Sequence, residues 1–232
     1  MTTTQTRAAQ RTKRGARARM TVLVIAGLCV AGAGGAAIAL GVSDYLSQQS
    51  NDSIRAALEH AQPFNDPNAA PAVVPTSSIG ELSPMLLVAP AAQLRVPLVS
   101  LGLNGDGDIA IPPAEQASVY TGSVPLDSST GSTLISGHVS APDTGEFAPM
   151  SHIVALRPGD LVVTVDDAGT RQDWRVVSSE VVDRDGLRPS MWAADGDRQL
   201  VLITCAGETG AVAEGVEFTD NLIVTAVPEP TN

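Results

Sequence analysis

Aromatic side chains are scarce in this chain of 232 residues: two Trp, two Tyr and three Phe make up 3% of it. A core must therefore be built from Val, Leu, Ile and Ala, for which the hydrophobic content of 44% is ample. Basic charge is scarce beyond residue 20. The first 20 residues hold six basic side chains (Arg7, Arg11, Lys13, Arg14, Arg17, Arg19) and no acid, which leaves 8 of the 14 basic groups against all 25 acidic ones, a balance of −17. Such a surface repels phosphates and excludes nucleic acid as a partner. Charge is absent altogether from Met20 to Val42, 23 residues in a row. Cysteine is limited to Cys29 and Cys205, and histidine to His60, His138 and His152. No internal repeat is visible.

The uncharged run is long enough to cross a hydrocarbon core of ~30 Å as a helix. With the Arg-rich residues 1–19 before it, the expected topology is a single-pass signal-anchor over 20–42, N-terminus cytoplasmic and the rest outside the cell. The competing reading is a cleaved signal peptide, because small residues cluster near Ala36 to Gly41. Cys29 and Cys205 then lie in different compartments, so a disulfide between them is not expected and Cys205 is a lone exported thiol. Residues 43–93 are expected to form a stalk. Asp44 to Glu59 can continue as a short polar helix, and six prolines from Pro63 to Pro90 break any regular element, giving an extended linker.

The compact domain is expected over 94–228, with a short tail over 229–232. Strand-like pieces are Leu94 to Leu101, Asp108 to Ile111, Val119 to Gly122, Ser132 to Val139, Leu161 to Val165, Gln172 to Val182, 200–205 and Asn221 to Val227. Helical patches are short, at Phe147 to Ala155 and Ser190 to Ala194. Many short strands punctuated by Gly and Pro predict an all-β closed barrel or sandwich.

Leu200-Val201-Leu202-Ile203-Thr204-Cys205-Ala206-Gly207 reads as a buried strand with a thiol at its tip. A free cysteine is either a small buried hydrophobe or a nucleophile. As a nucleophile it needs a base, since at an ordinary pKa near ~8.5 little thiolate exists at neutral pH. His60 is expected to be solvated and His152 to be a surface or packing residue. His138 ends the strand Thr133-Leu134-Ile135-Ser136-Gly137-His138, where a glycine beside the imidazole lets another group approach. Asn104, Asp106, Asp108 and Glu115 echo a calcium loop, but Ile109 stands where a glycine is required and Pro112 and Pro113 interrupt its end, so a polar turn is expected. Trp174, Trp192 and Tyr120 are expected to be packing residues. Neither metal nor cofactor is called for.

"TLISGHVS" followed by "LVLITCAG" resembles the signature of the sortases, in particular the class E and F types. "GDGDIAIPP", "VYTGSVPLDSSTGSTLISGHVS", "GEFAPMSHI" with "LRPGDLVVTV", and "TDNLIVTA" follow in the family's order over residues 94–228. The resemblance implies an eight-stranded β-barrel and a membrane-anchored cysteine transpeptidase. Cys205 would be the nucleophile on a Leu-Pro-X-Thr-Gly-like sorting signal of secreted proteins, His138 its partner, and a cell-wall precursor amine the acceptor. One departure stands out. Thr219 occupies the position of the family's last-strand arginine, and no Arg or Lys follows Cys205. Substitutes are Thr219 and Asn221 as neutral donors, or Arg184 and Arg188 from the loop before the nucleophile strand; Arg198 is expected to point away. The alternatives are a degenerate sortase-like domain that binds an envelope peptide or partner without turning it over, and a cysteine hydrolase.

Overall fold

The computed structural model describes residues 52–75, 78–212 and 215–229. The strands are β1 (Phe64–Asn65), β2 (Leu86–Ala89), β3 (Leu94–Leu101), β4 (Ala117–Tyr120), β5 (Ser132–Ser136), β6 (Leu161–Val165), β7 (Arg171–Asp183), β8 (Gln199–Val212) and β9 (Gly215–Pro228). Their order in one sheet is β1-β7-β6-β2-β3-β4-β5-β8-β9, and β7 pairs with β9 as well. The second pairing closes the eight strands β2 to β9 into a barrel, as expected. The two-residue β1 extends the β6 side of β7, opposite Ser178 and Ser179. Closure leaves these eight strands without a free edge.

Alternation sets the inside. In β3, Leu94, Val96 and Leu98 are buried while Arg95 and Pro97 are exposed. Trp174 anchors the interior fully buried, and its Nε1 donates to Thr164 Oγ1 at 2.8 Å. The guanidinium of Arg198 lies 4.8 Å from the Trp174 ring centre and donates to the carbonyls of Gly131, Pro125 and Leu126. Arg198 thus fastens the start of β8 to the loop before β5.

β2 and β8 are buried on both faces. Leu87 and Ala89 face the main core, while Leu86 and Val88 lie under Ile79, Leu82 and Val163. In β8, Leu200 and Leu202 face inward. Val201 and Ile203 face outward and are covered by Met191 and Ile223, with Leu187 and Trp192 packed alongside. A 3-10 turn, Pro189–Trp192, supplies that cover, and Pro149–Ala155 forms another against β3 and β8. Each such side chain contributes about 1.5–3 kcal/mol through burial.

Three expectations are corrected or fall outside the description. The span 20–42 lies outside the described residues; among the described ones no helix is long and apolar enough to cross a membrane. The stalk expected over 43–93 does not hold where the chain is described. Residues 52–59 form a helix whose Leu58 is 5% exposed and joins the core, and β2 lies inside the barrel before the expected start at Leu94. Between them the chain is tied down: Ala72 N donates to Gly159 O at 2.8 Å, and Arg175 donates to Ala69 O at 2.7 Å. Gly159, at φ +89°, is required there, since a Cβ would stand 2.2 Å from Ala70 O. The third correction is Asp108 to Ile111, which holds one isolated bridge, Leu103 to Ile109, rather than a strand.

Candidate active site

β5 and β8 run parallel, so their C-terminal ends lie at the same end of the barrel. The paired register ends at Ser136 with Ile203. It continues one step further through bonds: Gly137 N donates to Ile203 O at 3.3 Å and Thr204 Oγ1 donates to Gly137 O at 2.9 Å. The next residues are His138, two past the end of β5, and Cys205, which lies within β8 rather than at the strand tip expected, since β8 runs on to Val212; continued one step, the register sets them side by side. On the other side of β8, Cys205 pairs with Asn221 of β9. Cys205 is half-buried and packs against the main core that holds Leu202 and Ala206, whereas Val201, Ile203 and Ile223 belong to the outer cluster.

The glycine before the imidazole has a packing reason. A Cβ on Gly137 would meet Met150 Cγ at 2.6 Å and Ala117 Cβ at 3.4 Å. The fully buried Met150, from the turn at Pro149–Ala155, thus seats itself directly on the backbone that carries His138. Behind the strand, Ser118 Oγ and Ser136 Oγ lie 3.0 Å apart in a buried hydroxyl pair.

His138 and Cys205 are both half-buried. Burial lowers the pKa of His138. Burial raises that of Cys205, and the charge of Arg184 partly offsets the rise. Near neutral pH the pair accordingly rests as thiol and neutral imidazole.

The four substitute donors separate clearly. Arg188 is paired with Glu180 on the exposed flank of β7. Arg184 follows β7 directly. Its N–H donates to Thr219 O at 2.9 Å, and its carbonyl accepts from Asn221 Nδ2 at 3.0 Å. Asn221 is thereby committed as a clamp on that backbone, while the exposed Thr219 hydroxyl donates to Asp220 at 3.2 Å. Arg198 is at the other end of β8, as expected.

Gly207, two residues past the thiol, has φ +62°, and a Cβ there would lie 2.2 Å from an Asp220 carboxylate oxygen. Phe147, Phe218 and Leu58 of the helix over 52–59 line a crevice that reaches Gly207. The reach of that helix to the crevice at Gly207 is not legible in the sequence, where Leu46, Ile54 and Leu58 give only a weak apolar face.

The other histidines and the acidic stretch have structural positions. His152 Nδ1 lies 2.9 Å from Ala92 O, a packing role, and His60 is exposed at the end of its helix. Asn104 Oδ1 accepts the backbone N–H groups of Asp106 and Asp108, both at 2.9 Å, so its oxygen holds a polar turn. Tyr120 and Trp192 meet edge to face at 6.2 Å.

Comparison with known proteins addresses the family of the chain. The sequence model of the sortase domain matches residues 87–229. Among solved structures, sortase A of Listeria monocytogenes is 16% identical at a TM-score of 0.46, over 62% of this chain and 86% of that one. Sortase C-1 of Actinomyces oris is 16% identical at a TM-score of 0.48, over 81% and 98%. At these values the two stand as likenesses only. A curated relative of another kind, large ribosomal subunit protein uL2 of Flavobacterium psychrophilum, is 32% identical over 91 residues. This chain spans only 31% of its length and 36% of this chain is covered, a stretch too short to carry function. With the domain match extending over more than half of its length, the chain belongs to the sortase family, whose members are cysteine transpeptidases.

Proposed function

We propose that this domain is a sortase-type transpeptidase that uses Cys205 as nucleophile and His138 as its proton partner. Cys205 Sγ attacks the carbonyl carbon of the Thr–Gly bond in a Leu-Pro-X-Thr-Gly-like sorting signal, and its proton passes to His138. The tetrahedral adduct collapses, the C–N bond breaks, and His138 returns the proton to the leaving glycine amine. The product is a thioester on Cys205. An envelope amine, of the kind a cell-wall precursor carries, attacks that thioester and surrenders its proton to the ring, and the thiol re-forms. Splitting one acyl transfer into two steps is the gain of covalent catalysis. The chain before the domain suits such an enzyme, because an uncharged span over 20–42 behind a basic tail would hold it on the outer face of the cell membrane.

The observation that supports this reading best is the register that brings His138, just past the end of β5, alongside Cys205 within the adjacent parallel strand β8. The test is product analysis. Protein incubated with Leu-Pro-Ala-Thr-Gly and triglycine should release glycine and yield a Leu-Pro-Ala-Thr-triglycine product, and Cys205→Ala should yield neither. Cleavage without the triglycine product makes the domain a hydrolase. Saturable binding with no cleavage supports the binding-only alternative, which the absence of Arg or Lys after Cys205 favours.

A further inference from the structure

Attack on a peptide carbonyl places a negative charge on its oxygen beside Sγ, and the surroundings of Cys205 must hold a donor for it. Strand β9 offers none with a charge, since no basic residue follows Cys205. Arg188 is held by Glu180 and Arg198 by carbonyls at the far end of β8. Arg184 remains. It is exposed and, among the described residues, in no ion pair. Its backbone is clamped from both sides by β9, through Thr219 O on its N–H and Asn221 Nδ2 on its carbonyl, and Asn221 is the residue paired with Cys205.

We propose that Arg184 is the oxyanion-binding catalytic residue of this enzyme, delivered over the thiol from the end of β7 rather than from β9. This rests on Cys205 being the nucleophile. Asn221 is then a positioning residue: its amide holds the carbonyl of Arg184, whose backbone lies opposite Thr219, so loss of the clamp lets the guanidinium drift without altering the nucleophile. The sequence departure at Thr219 becomes intelligible, because the cation enters from the neighbouring strand of the same barrel, β7 being paired with β9 through Asp183 and Asp220. Burial raises the thiol pKa and the charge of Arg184 partly offsets the rise, which accords with this placement. The other ionisable groups around it are Asp183 and Asp185 beside it in the chain, Asp220 on β9 and His138 on the β5 side.

The experiment uses Arg184→Ala, Arg184→Gln and Arg184→Lys in the whole chain. Iodoacetamide alkylation of Cys205 against pH should show a midpoint moved upward in the Ala and Gln variants and largely restored in Lys. Thioester formation with Leu-Pro-Ala-Thr-Gly should slow about 10²–10³-fold in the Ala and Gln variants, as for loss of one oxyanion donor, with Lys intermediate because it keeps charge without the fork. Asn221→Ala should slow the thioester step while alkylation at high pH stays as fast as in the parent. Wild-type midpoint and wild-type acylation in Arg184→Ala overturn the proposal, as does a loss confined to Arg188→Ala. If the parent protein forms no thioester with this peptide, the transpeptidase reading fails, while an unmoved alkylation midpoint separately refutes the placement of Arg184.

Discussion

Adding one methyl group at Gly137 probes how the imidazole is held. In Gly137→Ala the new carbon would stand 2.6 Å from Met150 Cγ and 3.3 Å from Met150 Cβ. Carbon atoms at their optimum are ~3.5–4.0 Å apart. Met150 is fully buried, and Cγ is near its backbone, so the side chain cannot swing clear. Overpacking of this kind costs about 1–3 kcal/mol. Met150→Ala alone removes a buried side chain and costs about 2–5 kcal/mol. In the double variant the methyl enters the space Met150 vacates, so the pair should be less destabilised than the two singles added together, by about 1–3 kcal/mol. Urea unfolding of the four proteins, with thioester formation measured on each, gives the cycle. The acylation rate should fall in Gly137→Ala and recover in part in the double variant, because the strain acts on the backbone next to His138. Additivity within about 0.5 kcal/mol would show that the two sites do not touch and that Gly137 is not held by Met150.

His138→Ala should keep the fold and slow thioester formation about 10²–10⁴-fold, the range for a lost acid–base group; an unchanged rate removes the ring from the mechanism. The pH profile of kcat/KM should be a bell with its acid limb below the ordinary imidazole value and its alkaline limb above the ordinary thiol value, because burial disfavours both charged forms. Stability follows with worked signs: the contribution of His138 is complete above the unfolded imidazole pKa and lost as pH falls through the folded one, and that of Cys205 is complete below the unfolded thiol pKa and lost as pH rises through the folded one. Unfolding measured against pH in His138→Ala should show a smaller acid-side loss than the parent; an equal loss contradicts it. Thr164→Val strands the Trp174 indole N–H, bonded at 2.8 Å, and should cost about 1–3 kcal/mol in urea unfolding; no change would mean that the indole is satisfied elsewhere. A chain beginning at residue 62 loses the burial of Leu58 and should be less stable than one beginning at residue 52 by about 1.5–3 kcal/mol, equal midpoints showing instead that the helix over 52–59 does not hold the barrel.

Local patterning carried much of the barrel. Leu94–Leu101 and Leu161–Val165 coincide with expectation, the one alternating cleanly and the other entering from an Arg-Pro-Gly-Asp turn. β2 escaped notice because it is covered on both faces and so shows no alternation, and because it sits between Pro84 and Pro90 in a stretch that reads as linker. Asp108 to Ile111 looked like a strand, but Asn104 captures the backbone donors of Asp106 and Asp108 and turns the chain. The thiol and the imidazole could be named from the apolar runs that precede them, although β8 runs on past Cys205 to Val212. Their alignment could not be read, since it depends on a parallel pairing across 67 positions between Gly137 and Thr204. Arg184 and Arg188 are equivalent in the sequence. Only the β7–β9 register, with Asn221 reaching the Arg184 carbonyl across 37 positions, and the Glu180 pairing tell them apart.

Everything turns on whether Cys205 carries an acyl group during turnover. The direct measurement is the intact mass of the protein, rapidly acid-quenched after mixing with Leu-Pro-Ala-Thr-Gly and digested to locate any adduct. The predicted result is a gain equal to the Leu-Pro-Ala-Thr acyl group on Cys205, removed by hydroxylamine and missing in Cys205→Ala. Peptide cleaved with no adduct on Cys205 at any quench time, or cleaved equally by Cys205→Ala, would contradict it.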